Sequence, residues 1–346
     1  MNDSEVGRKR GIECPPRRRR AVGRTAVAVV LTVGVLGAAA CSASPGSSGD
    51  PAASLQTVRY TYPGAVAITT PELLMQSDPA MCAPFGIKPE ITVLSPGAAS
   101  PAVAAGKIDA TRGAPTSFLL TEVESPGAAK VVANVTGGQP NKFWGAKDVH
   151  TVADLRGKTV AATSMGATTD ISARQALSEA GLTPGKDVQI TYSNTASARF
   201  GLAASGAIQG LVQPAPLPAT LTEAGWHELL DFNDDPQTAP LFATVISVNT
   251  KFIQDHPDAI KGLLQCEAAA TKAINADPKK AADLLATATR TDTAAAAAQV
   301  AALQPFGVAK FPAQDMTLLA NVLQKNNVKD FSHTDVSKTV DSSFVP

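Results

Sequence analysis

From residue 57 onward, short β-branched runs alternate with alanine-rich stretches at helical spacing, and that alternation leaves few folds open. The strand-like runs are 57–61 (TVRYT), 91–94, 130–135, 159–163 and 188–191. Between them, 72–81 reads as a helix. Ala173, Ala176, Leu177 and Ala180 fall at i, i+3, i+4 and i+7 with Gly181 as the stop, and Phe200, Ala203, Ala204 and Ala207 repeat the spacing. Ser100 followed by Pro101 reads as a helix start, closed by Gly106. Such repetition builds crossover units and largely parallel α/β sheets. A chain of 346 residues suffices for two such units, each with its own core.

One segment occurs twice. Ala104-Ala105-Gly106-Lys107-Ile108-Asp109-Ala110 can be laid over Ala204-Ser205-Gly206-Ala207-Ile208-Gln209-Gly210, one hundred residues later. Each copy follows a helix, enters a short strand and ends in a turn containing proline (Pro115, then Pro214 and Pro216). A helix–Gly–strand–turn module used twice suggests two lobes built alike.

The amino terminus has a different character. Residues 1–40 hold eight Lys/Arg and three Asp/Glu out of totals of 30 and 30, which leaves 22 basic and 27 acidic residues, a net charge of −5, for the remainder. The acidic remainder argues against a nucleic-acid binder held by phosphate contacts. The basic stretch ends at Arg24 and is followed by fifteen apolar or small residues, 26–40, shorter than the ~20 a membrane span needs. Ala38, Ala39 and Ala40 before Cys41 resemble a bacterial lipobox, which implies cleavage before Cys41 and diacylation of its thiol. Residues 1–40 are thus expected to be a lipoprotein signal and 41–56 a flexible Pro/Gly/Ser-rich tether. Arg17 to Arg20 also suggest twin-arginine export, and the sequence does not choose between the two export routes. In an oxidising compartment Cys82 and Cys266 remain, either as one disulfide or as two separate buried thiols.

The order of the motifs resembles a known family. Val152-Ala153-Asp154-Leu155-Arg156-Gly157-Lys158-Thr159-Val160 is similar to the "DLkGKkV" segment that opens the second lobe of nitrate/sulfonate/taurine-type substrate-binding proteins of ABC importers. Gly106-Lys107-Ile108-Asp109-Ala110 resembles the "G-x-hydrophobic-D-A" segment of their first lobe, and 252–260 with Pro257 resembles their return helix. The chain departs from the pattern at Gln209 and Gln213, where acids are common. The resemblance implies a two-lobed α/β fold of the type II periplasmic-binding-protein kind. Lobe one would comprise 57–150 plus 240–346, lobe two 151–239, with a ligand cleft between them. It implies a small polar, anionic or zwitterionic solute of the sulfonate, taurine, nitrate or nitrogen-heterocycle class, and a permease with its ATPase as partners. It further implies attachment to the extracytoplasmic face of the membrane through the lipid, a monomer, no cofactor and no catalysis.

In open α/β sheets ligands sit beyond the carboxyl ends of strands, where helix N-termini offer unpaired N–H groups and partial positive charge. The candidate contact residues are therefore those of strand-to-helix turns: Pro63 and Gly64; Ser95 and Gly97; Arg112, Gly113, Ala114 and Thr116; Gly137 and Asn141; Thr163, Ser164, Gly166, Ala167 and Thr168; and Asn194 and Gln213. Glycines admit close approach of a ligand and hydroxyls donate hydrogen bonds. Arg112, the one guanidinium in such a turn, is the candidate clamp for a carboxylate or sulfonate. Two rival functions exist. Thr163-Ser164-Met165-Gly166 between a strand and a helix loosely resembles a nucleophile elbow, which would make a serine hydrolase of Ser164 if an Asp and a His stood beside it. A lipoprotein that senses a solute without transporting it would need the same cleft. The four histidines are far apart in sequence and show no metal-ligand spacing.

Overall fold

The chain forms two mixed sheets, each sandwiched between helices, as seen in a computed structural model that describes residues 54–345 apart from 139–140, 194 and 235–237. The signal segment, Cys41 and Asn194 lie outside the described residues. The strands are β1 (Gln56–Tyr62), β2 (Ile87–Val93), β3 (Ala110–Gly113), β4 (Ala129–Gly138), β5 (Asn141–Gly145), β6 (Thr159–Ala162), β7 (Gln189–Tyr192), β8 (Gly210–Pro214), β9 (His227–Asp231), β10 (Thr244–Asn249) and β11 (Gln304–Ala309). The helices are α1 (Thr70–Ser77), α2 (Pro96–Ala104), α3 (Pro115–Glu124), α4 (Thr168–Glu179), α5 (Ala196–Ala204), α6 (Ala219–Glu223), α7 (Thr250–Asp255), α8 (Pro257–Ala276), α9 (Pro278–Thr289), α10 (Thr293–Ala301) and α11 (Ala313–Lys325).

The first sheet has the order β11-β4-β10-β3-β1-β2 and the second β7-β6-β8-β5-β9. Parallel pairing is confined to the crossover units, β1 with β2 and β3, and β6 with β7 and β8. The strands that carry the chain between the sheets, β5, β9 and β10, pair antiparallel, as does β11. The first crossing falls between Gly138 and Asn141 rather than at 150, because β5 pairs with β8 and β9 of the second sheet. The second runs from β9 through a 3-10 turn at Ala239–Phe242 into β10.

Both faces of each sheet are covered. On one face of the first, Val58, Tyr60 and Tyr62 of β1 pack with Leu263 and Leu264 of α8 and Leu285 of α9; on the other, Val131 meets Phe118, Leu319 and Leu323 of α3 and α11. Each such aliphatic or aromatic side chain contributes roughly 1.5–3 kcal/mol on burial. A disulfide joins Cys82 to Cys266 on α8, with Cα atoms 5.1 Å apart. Beside it, a Cβ on Gly262 would lie 2.4 Å from the Phe85 carbonyl oxygen, so only glycine lets α8 approach this closely.

The repeated segment folds the same way twice. α2 and α5 end at Ala104 and Ala204, and Gly106 and Gly206 follow with φ of 67° and 74°, where an L side chain is strained. Three residues further on, a polar side chain closes each module onto the first parallel strand of its sheet, β1 or β6. Asp109 Oδ2 accepts from Arg59 N–H at 2.7 Å, and Gln209 Oε1 accepts from Thr159 N–H at 3.2 Å. The departure at Gln209 is therefore a change within a structural brace. Ser100 and Pro101 do not start a helix: α2 begins one turn earlier, with Ser95 as N-cap and Pro96 in its first turn.

Candidate functional site

Three helices begin at the carboxyl ends of strands from both lobes, and their first turns face one cleft. α2 contributes Ala99 and Ser100, α3 contributes Ser117 with Ala114 just before it, and α4 contributes Thr168 and Thr169. The N-cap residues are Ser95, Ala114 and Ala167, and none of them makes a side-chain cap hydrogen bond. The first-turn N–H groups of a helix have no acceptor within it, so uncapped N-termini leave donors and partial positive charge for whatever enters.

The cleft has a volume of about 230 Å³. Its walls are mostly apolar, with Pro63, Ile68, Leu241, Phe242 and Ala243 joined by the polar Thr111, Asn141 and Thr244. Among the described residues no aspartate or glutamate lines it, and the one charged residue that does is Arg112.

Arg112 is not a free clamp. It is 2% exposed, and its Nη1 donates to Glu72 Oε1 and Oε2 at 2.7 and 2.6 Å, with Glu267 Oε1 3.6 Å away. Tyr60 Oη donates to Glu72 Oε1 at 3.4 Å. Alternation along β3 puts Arg112 on the face of Ala110, toward α1 and α8, so the cleft meets this part of the strand largely as backbone. Burial works against the guanidinium charge, but Glu72 and Glu267 more than offset it and raise the Arg112 pKa. Glu267 is fully buried, and neither of its oxygens has a hydrogen-bond partner. Burial, reinforced by repulsion from Glu72, drives its pKa well above the ordinary carboxylate range, against the pull of Arg112.

The segment 95–289, more than half of the chain, matches the model of the NMT1-like family. The chain belongs to that family. Solved structures carry the same fold. The periplasmic aliphatic sulphonate binding protein SsuA from Escherichia coli is similar with a TM-score of 0.69 at 18% identity, over 82% of this chain and 97% of that one. The alkanesulfonate-binding protein SsuA from Xanthomonas axonopodis pv. citri, solved with MOPS, gives 0.65 at 18% identity over 82% and 98%. The periplasmic nitrate-binding protein NrtA from Synechocystis PCC 6803 gives 0.64 at 16% over 84% and 87%. The comparison with curated protein sequences returns no match.

In this NMT1-like chain, six of the expected contact residues line the cleft: Pro63, Arg112, Gly113, Ala114, Asn141 and Thr168. Gly64, Ser95, Gly97, Thr116, Gly137 and Ala167 belong to the same turns, strands and helix starts without lining it. Thr163 is held by Thr169, whose Oγ1 accepts from the Thr163 N–H at 3.0 Å. Gly166 donates its N–H to Asp170 Oδ2 at 2.9 Å and lines a different groove, with exposed Met165. Gln213 accepts from Trp144 Nε1 at its backbone oxygen (2.9 Å) and from buried Arg199 at its side chain, so it braces lobe two. Ser164 is exposed, and among the described residues no hydrogen bond joins its side chain to a histidine. Among the histidines after it, His227 stacks on His150 at 5.8 Å and His256 packs on Phe252 at 4.9 Å. Sequence reasoning missed Ile68, Ala99, Ser100, Thr111, Ser117, Thr169 and 241–244. Ser117 and Thr169 lie a residue or two inside helix starts, where counting along the first turn finds them. Residues 241–244 carry no turn signature.

Proposed function

We propose that this chain is the extracytoplasmic solute-binding lipoprotein of an ABC importer, anchored through Cys41, which captures a small organic anion by closing its lobes and presents it to a permease. The observation that supports this reading is the convergence of three uncapped helix starts, from both lobes, on a cleft lined by no acidic side chain among the described residues. Such a site holds an anion by neutral donors while its apolar walls accept a hydrocarbon part. An ammonium group would find no carboxylate among the described lining residues, which favours an anion over a zwitterion such as taurine. The sulfonate and nitrate binding of SsuA and NrtA supports the same class. No bond is made or broken in this reading, and no metal-binding cluster occurs among the described residues. Among those residues no helix is long and apolar enough to cross a membrane.

Thermal unfolding with a panel of solutes tests it. Millimolar 1-hexanesulfonate raises the midpoint by several degrees, since a ligand at 100 times its Kd adds about 2.7 kcal/mol. Taurine shifts it less, and hexylamine not at all. A panel of sulfonates, carboxylates and nitrate that leaves the midpoint unmoved contradicts the proposal.

A further inference from the structure

One helix of the second lobe serves two surfaces. Thr168 and Thr169, at the start of α4, line the cleft, while the turn that follows is seated on the first lobe. Ile171 is completely buried in an apolar cluster whose other buried members belong to the first lobe or its return crossing, among them Phe118, Leu319 and Leu323. One turn on, Gln175 is 1% exposed and its Oε1 accepts from Asn326 Nδ2 at 3.4 Å, just beyond the end of α11. The apolar cluster around Ile171 reaches Leu241 of the return crossing, which also lines the cleft, whereas Ile171, Gln175 and Asn326 themselves do not line it.

We propose that the seat of Ile171 and Gln175 on α11 is a latch between the lobes, made when they close and released when they open. It then sets the apparent affinity for the solute without touching it. The inference rests on the binding-protein reading for its purpose, because closure is what captures the solute, but the latch itself is measurable with no solute present. A protein whose binding-competent state is only partly populated binds more weakly by that fraction. An apolar side chain that is buried only in the closed state raises the fraction. Gln175 adds direction: its hydrogen bond to Asn326 is met only when α4 lies against α11 in this register.

The test is amide hydrogen exchange on the full chain without solute, read at the cleft residues 241–244 and at β1 as an internal control. Ile171→Ala speeds exchange at 241–244 about tenfold and leaves β1 unchanged. The variant Q175C/N326C, joined by a short bis-methanethiosulfonate, slows exchange at 241–244 at least tenfold. The joined protein fails to take up 1-hexanesulfonate added afterwards and retains it when joined in its presence. Equal exchange at 241–244 in the joined and unjoined protein overturns the latch, since a permanent contact has nothing to lock. If Ile171→Ala misfolds, β1 exchange rises as well and the joined variant alone decides. Protection on joining together with no uptake by any form supports the latch and tells against the binding-protein reading.

Discussion

Replacing Arg112 with methionine is expected to destabilise the protein by about 3–5 kcal/mol, because it strands two carboxylates in the core without their counter-charge. Glu72 and Glu267 are both 0% exposed, and the guanidinium between them is the cation that faces them. Glu267→Gln has the opposite character. Its carboxyl holds its proton to higher pH in the folded protein than in the unfolded chain. As pH rises from the ordinary carboxylate value, near ~4.3, the unfolded chain releases this proton first and the folded state binds more. This group therefore contributes its full share of stability at acid pH and loses it as pH climbs toward the raised value, with a slope of at most about 1.4 kcal/mol per pH unit. Glu267→Gln removes that loss, so relative to the wild type it gains stability between pH 5 and pH 8. Urea unfolding of the wild type and both variants across this range checks the account. An Arg112→Met loss below 1 kcal/mol, or a Glu267→Gln difference that is flat with pH, contradicts it.

Loss of the Cys82–Cys266 bridge has a comparable effect. The bond spans a sequence separation of 184 and closes the discontinuous first lobe around the inserted second one. Cross-linking so long a loop restricts the unfolded chain, and removing a native bridge typically costs about 2–5 kcal/mol. Both cysteines are fully buried, so alanine at both positions also leaves the α8 contact under-filled. The denaturation midpoint of C82A/C266A should fall accordingly. A change within about 0.5 kcal/mol would mean that packing of α8 alone holds the lobe together.

Much of the architecture was legible because it is periodic. The β-branched runs and helical spacings located β1, β2, β4, β6, β7, α4 and α5 within a few residues, and the duplicated segment marked matching modules. The reason is visible at Asp109 and Gln209, where each module closes through the equivalent hydrogen bond to the first parallel strand of its sheet. What stayed hidden depends on distant pairing. Nothing in the residues of β5 reveals that it joins the second sheet, because that follows from its partners β8 and β9. Arg112 misled for the same reason. A lone arginine in a strand-to-helix turn looks like an anion clamp, and only the fold shows Glu72, forty residues away, holding it. The cleft was legible where turns carry Gly, Pro or hydroxyls, as at Pro63, Gly113 and Thr168. It was not legible at 241–244, whose place there is set by the return crossing.

Isothermal titration of 1-hexanesulfonate into the wild type and into Thr168→Glu tests the central claim most directly. The substitution puts a carboxylate in the first turn of α4, where an acid suits the helix dipole but opposes an anion in the cleft. The account predicts saturable binding by the wild type and at least 100-fold weaker binding by the variant, with thermal stability unchanged. Equal affinity in both proteins would place the solute elsewhere and contradict it.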